Sequence, residues 1–275
     1  MIRPIAGYRS RARVGWFEAR SGSEQAQGGQ EVAQKIQPSP SMLVYLFADR
    51  IFQQGERAKW KTMVPCKEDV TVAAKDLAAG LLAVSFWNLR EQRLIRFEPS
   101  QKQTLFVGSS PALRIVKVNH IEQNDFIGRI ALESLILTSL SDHEDDDFGN
   151  LLKQHWLVPG AWREAQLYEQ LIGMPAKEAL IFGYIENSRG EDPVEVRKPV
   201  TLGRVGSGPL RLAEGLEPRC EKIAALEGRF DDFALRMQSF QTAEAEIYAL
   251  LLDECAGAIE RSITNRDLPF RFRWR

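Results

Sequence analysis

The chain has 275 residues, 44% hydrophobic and 27% charged, with 36 lysines and arginines against 37 aspartates and glutamates. That length suffices to bury a sizeable core as one large or two small domains. A formal net charge of −1 excludes whole-molecule attraction to nucleic acid or to an anionic membrane, so any such affinity has to come from local clusters.

The first twenty residues form such a cluster, with Arg3, Arg9, Arg11, Arg13 and Arg20 against Glu18 alone. They lack an apolar run long enough for a signal peptide. The Gly/Ser/Gln-rich run that follows, ending in Pro38-Ser39-Pro40-Ser41, has too little apolar surface to order itself, and residues 1–41 read as a flexible arm. Ser41 then reads as the N-cap of a helix from Met42 to about Gln54, with Leu43, Leu46, Phe47 and Ile51 inward and Gly55 as its stop.

From Leu77 to Trp87 nearly every residue is apolar or small, and a helix that is apolar all round must be enclosed by other protein. Gly80 costs about 1 kcal/mol of helix propensity relative to alanine, so a close packing neighbour is expected there. Leu94–Glu98 reads as a strand, Pro99–Gln103 as a turn, Thr104–Val107 as the returning strand and Arg114–Val118 as one more. Arg90, Arg93, Arg96 and Lys102 near this helix-to-wing junction are the candidate contacts to phosphate or nucleic acid. An apolar helix is ill suited to reading base edges, and pairing of Arg90 and Arg93 with Glu91 or Glu98 is the plainer expectation.

The run LAAGLLAVSFWNLREQRLIRFE resembles the apolar helix and strand of the Golgi phosphoprotein family, over about a tenth of the chain. The resemblance implies an anionic-lipid-binding adaptor. No site residue carries over, because the family's arginine-rich second helix has no counterpart here.

Phe126–Leu140 reads as a second buried helix, interrupted by Arg129 and Glu133 and too short to span a bilayer. Residues 141–147, SDHEDDD, lack the alternating ligands and glycine of a calcium loop and read as a solvated acidic loop. The theme then repeats. A helix over Trp162–Ile172, a short one over Ala176–Phe182 led by Pro175, and a hairpin from Tyr184 to Arg197 follow in the same order. Residues 203–208, GRVGSG, read as a linker, since neither the glycine order nor a following Lys-Ser/Thr pair fits a phosphate loop.

Apolar residues from Ile223 to Ala258 recur at 3-4 spacing and predict one long amphipathic helix from about Glu217 to Thr264, with a break at Gly228. Internal packing is favoured over self-association for its stripe. In the tail, Phe270, Phe272 and Trp274 alternate with Arg271, Arg273 and Arg275, so an extended strip puts aromatics on one side and guanidinium groups on the other. This strip is the candidate partner-binding element, with residues 142–147 as an acidic counterpart.

Cys66, Cys220 and Cys255 are odd in number, widely spaced and without CxxC or CxxH partners, which fits reduced thiols in the cytoplasm. His120, His143 and His155 stand in no metal or nucleophile motif, and no catalytic residue, metal or cofactor is expected. The expected fold is mainly α with small β-hairpins (α+β). It comprises the arm 1–41, a helical core with a β-wing over 42–140, a second winged-helix-like unit over 150–212, the long helix 216–264 and the tail 265–275. The expected function is a non-catalytic interaction or scaffold protein that binds a protein partner or itself. A winged-helix-type nucleic-acid binder is the alternative, a peripheral membrane adaptor the second, and no transmembrane segment is expected.

Overall fold

The computed structural model describes residues 37–54, 57–104, 108–118, 131–141, 145–147, 163–190, 196, 200–204 and 212–264, with side chains left out of account at 102–104, 108, 138–141 and 145–147. The arm before residue 37, all three histidines and the tail after residue 264 lie outside them. The fold is α+β, helices with small antiparallel sheets. Among the described residues no helix is long and apolar enough to cross a membrane.

The first helix, α1, spans Pro40–Leu46. Its cap is Ser39, whose Oγ accepts from the Met42 N–H at 3.1 Å, and Pro40 occupies the first helical position where its missing N–H costs nothing. The expected cap at Ser41 is therefore two residues late. The helix also stops early: a 3-10 turn, Ala48–Arg50, replaces its second half and leaves Ile51 exposed. Strands β1 (Trp60–Met63) and β2 (Thr71–Ala73) follow, in a segment where the sequence showed no regular element.

Helix α2, Ala74–Glu91, touches α1 and three later helices, and thirteen of its residues from Ala74 to Leu89 are buried. The close neighbour of Gly80 is a ring rather than a helix, for a Cβ at Gly80 would lie 2.4 Å from Cζ of Phe52. Gly80→Ala gains about 1 kcal/mol of helix propensity but has to displace that half-buried ring, a clash of about 1–3 kcal/mol, so a net loss is expected. In a Phe52→Ala background the same substitution should stabilise. Urea denaturation of the four chains of this cycle reads the sign change, and equal effects in both backgrounds would refute the clash.

Strands β3 (Ile95–Thr104) and β4 (Gly108–Lys117) form one long hairpin, registered from Ile95 opposite Lys117 to Thr104 opposite Gly108. The turn expected at Pro99 does not occur. Pro99 lies in β3, an edge strand of the order β3-β4-β5, where a missing N–H is tolerated. The third strand, β5, is Asp145–Asp147, paired from Arg114 opposite Asp147 to Val116 opposite Asp145. Part of the expected acidic loop is thus a sheet edge.

Helix α3 spans Leu132–Ser141 and α4 spans Glu164–Ile181. Two helices were expected around Pro175, yet α4 runs through it: Leu171, Ile172, Ala176 and Ala179 are buried on both sides, and that burial outweighs one missing hydrogen bond. Strand β6 (Ile185–Asn187) pairs with β8 (Leu216–Pro218) and β7 (Leu202–Arg204) pairs with β1, while the returning strand expected over Val194–Arg197 lies, except for Val196, outside the described residues. Gly203 and Arg204, expected in a linker, are therefore in a sheet.

The repeated theme has a geometric basis at two helix ends. Helix α2 closes with Leu94 N–H on Leu89 O and Arg93 N–H on Arg90 O; α4 closes with Tyr184 N–H on Ala179 O and Gly183 N–H on Leu180 O. In each case a left-handed residue, Arg93 (φ 59°) or Gly183 (φ 69°), ends the helix and a strand begins two residues later. Ala74 and Glu164, Arg93 and Gly183, and Ile95 and Ile185 are each 90 residues apart.

Three helices stand in place of the one long helix: α5 (Cys220–Ala224), α6 (Glu227–Ala243) and α7 (Ala245–Thr264). The chain runs helically through Gly228 and breaks at Glu244 (φ −134°, ψ 50°). Helix α7 packs on α2 through a stripe that includes Leu251, Cys255, Ala258 and Ile259, while α6 buries only Phe230, Phe233 and Phe240.

Reduced thiols were expected throughout, but Cys66 and Cys220 form a disulfide with their Cα atoms 5.4 Å apart. Their separation of 154 residues hides the pairing from spacing rules, because the β1–β2 turn meets the start of α5 only in the fold. Cys255 is free and buried, and burial, then the Glu254 charge, pushes its thiol well above the usual range.

Burial also raises the Tyr45 phenol well above its ordinary value. A group raised in the folded state stabilises fully below its unfolded pKa, so stability should hold up to about pH 10 and then fall by about 1.4 kcal/mol per pH unit as unfolded tyrosine ionises. A pH series of melting temperatures on the intact chain and Tyr45→Phe measures this: the variant should lose part of the alkaline decline, and superimposable profiles would contradict it.

Candidate functional site

The deepest polar cluster lies where α1 begins. Two glutamates, Glu133 in the first turn of α3 and Glu178 in the last turns of α4, meet Ser39 and Ser41, and all four are at most 2% exposed. Each carboxylate forks onto one serine. Glu178 accepts the Ser39 N–H at 3.1 Å on Oε1 and the Ser39 hydroxyl on Oε2; Glu133 accepts the Ser41 N–H at 3.2 Å and its hydroxyl at 2.8 Å. The two hydroxyl oxygens are themselves 2.9 Å apart.

The row Glu133, Ser41, Ser39, Glu178 thus has three oxygen–oxygen contacts and two hydroxyl protons. On paper two carboxylates beside two hydroxyls suggest acid–base or nucleophilic chemistry. Here their polar atoms hold one another and the backbone of the chain entering α1, which is how buried polar groups fix a segment in place.

Sequence reasoning named Glu133 only as an interruption of an apolar run and passed over Glu178 and Ser39. The signal was available: a charged residue among inward positions, such as Glu178 between Ala176 and Ala179, has to find a buried partner.

A second cluster joins the sheet to α4. Lys59 pairs with Glu164, whose other oxygen accepts from the Tyr168 hydroxyl at 3.5 Å, and Arg204 lies 4.8 Å over the Trp60 ring. Burial pushes the Glu164 carboxyl up, but the Lys59 hydrogen bond and charge outweigh it and hold the group below the usual range.

The sequence-chosen arginines go to separate tasks. Arg90 sits over Phe97 at 5.6 Å and Phe240 at 5.0 Å and pairs with Glu244 at 2.5 Å, so it ties the end of α2 to the α6–α7 break rather than to Glu91 or Glu98. Arg96 pairs with Glu98 at 2.7 Å, and Arg93 forms the left-handed end of α2. The side chain of Lys102 and residues Phe270, Arg271, Phe272, Arg273, Trp274 and Arg275 lie outside the described ones. Among the described residues no group of three or more His, Cys, Asp or Glu is placed to hold a metal.

The outward face of α6 is different in kind. Leu235 is 62% exposed and, with Gln238, Ser239, Thr242 and Ala243, lines an open depression of about 390 Å³. Comparison with protein-family models, with curated proteins and with solved structures finds no match to this chain.

Proposed function

We propose that this chain is a non-catalytic assembly protein that binds a second copy of itself through the outward face of α6, supported by the basic-aromatic tail. The observation that carries the reading is Leu235: it is the most exposed of the large hydrophobics described, on a helix that otherwise shows charged and polar residues outward. Ser239 and Ala243 follow it one and two turns on, small enough for another helix to approach closely. One face meeting itself makes a closed two-fold pair. The apolar stripe of α7 is used internally against α2, which leaves α6 as the outward helix of the C-terminal region.

Nucleic-acid or lipid contact through the four basic candidates has less support, because Arg90 and Arg96 already hold carboxylates. The tandem winged-helix description draws on the two helix-to-strand junctions 90 residues apart. A cytoplasmic setting was expected from reduced thiols, and the Cys66–Cys220 bond removes that ground.

A substrate screen tests the non-catalytic half of the reading. The expected result is no turnover that depends on Ser39, Ser41, Glu133 or Glu178; a turnover lost in folded Ser41→Ala or Glu133→Gln chains would overturn it.

A further inference from the structure

Cys66 lies in the loop joining β1 to β2, in the left-handed region (φ 61°) and half-exposed, and Cys220 is the exposed first residue of α5. Helix α5 has five residues and buries one side chain, Ile223; Leu226 follows and then Phe230, which packs on Phe47 with ring centroids 4.8 Å apart. A single helical turn does not hold itself in water, since nucleation costs more than a few hydrogen bonds return. What fixes α5 from its N-terminal side is the bond to Cys66, together with the Arg219 N–H donating to Tyr184 O at 2.8 Å after the β8–β6 pairing, and the surface Arg219–Glu186 ion pair and Lys222 ammonium donating to Gly183 O at 3.3 Å.

We propose that the Cys66–Cys220 pair is a reversible thiol–disulfide switch that a dithiol reductant opens, releasing the segment from Arg219 to Leu226 from the β1–β2 loop. This stands independently of the self-association reading. One thiolate of the reductant attacks the exposed Cys220 Sγ, forming a mixed disulfide while Cys66 leaves as a thiolate and takes up a proton. The second thiol of the reductant then displaces Cys220 as a thiol. The reductant ends as its own disulfide; two electrons and two protons have moved to Cys66 and Cys220. Cys255 takes no part, being fully buried on the inner face of α7. Phe230, stacked under Arg50 and beside Phe47, limits the release to the segment before α6.

The intact chain purified without reductant should show one thiol after denaturation, and three after treatment with dithiothreitol. Hydrogen exchange of the native chain before and after that treatment should quicken about tenfold or more over residues 219–226, with α2 unchanged. Cys220→Ser should exchange like the reduced chain whether or not dithiothreitol is present. Three thiols in the untreated denatured chain would overturn the proposal. So would equal exchange over 219–226 in oxidised and reduced chains, or exchange rising equally in α2, which marks global loosening rather than a local switch.

Discussion

Glu178→Ala is expected to cost about 3–5 kcal/mol of stability, because it strips the carboxylate from a buried network and leaves the Ser39 N–H and hydroxyl with no acceptor on that side. Glu178→Gln should cost less than about 1 kcal/mol. Its Oε1 still accepts the Ser39 N–H, its Nε2–H₂ donates to Ser39 Oγ, and the Ser39 proton is then free to pass along to Ser41 and on to Glu133. Glu133→Gln is tolerated by the mirror argument. The double glutamine chain removes both buried carboxylates from the same cluster, so it should lose more than either single substitution. Urea denaturation of these four variants measures the pattern; a loss in Glu178→Gln as large as that in Glu178→Ala would contradict it.

Trp87→Ala should be comparably severe, at about 3–5 kcal/mol, since the indole is among the largest fully buried side chains and its loss opens a cavity in the middle of the core. The location of the damage is the sharper expectation. The ring meets Phe233 edge-on at 5.7 Å and lies beneath Arg236 at 5.8 Å, both on α6, so α6 should lose protection before α7, which has its own contacts to α2. Hydrogen exchange of a Trp87→Phe chain, which keeps an aromatic ring and folds more readily, resolves this; equal loss in α6 and α7 would show that Trp87 does not anchor α6 in particular.

What was legible in the sequence follows from the range of the interactions involved. The apolar run Leu77–Trp87 announces an enclosed helix because its pattern is local, and α2 is that helix. Strands β1, β7 and β8 have three or four residues each and are completed by partners well along the chain, as Trp60–Met63 is by Leu202–Arg204, so periodicity had nothing to register. The break at Glu244 falls on one of the polar residues, with Glu254 and Arg261, that interrupt the apolar stripe, but no glycine or proline marks it as the place where the helix ends; Arg90, 154 residues earlier, holds the Glu244 carboxylate where the chain turns. The disulfide and the serine–glutamate cluster were hidden for the same reason: Ser39 and Glu178 are 139 positions apart and meet only once α1 and α4 are packed together.

Self-association through α6 is tested most directly by sedimentation equilibrium of the intact chain over a concentration series, beside Leu235→Glu and a chain lacking residues 268–275. The expected result is a dimer for the intact chain, about 62 kDa from a 31.1 kDa protomer, dissociating at higher concentration in either variant than in the parent. A single 31.1 kDa species at every concentration, or a dimer that Leu235→Glu leaves untouched, would contradict it.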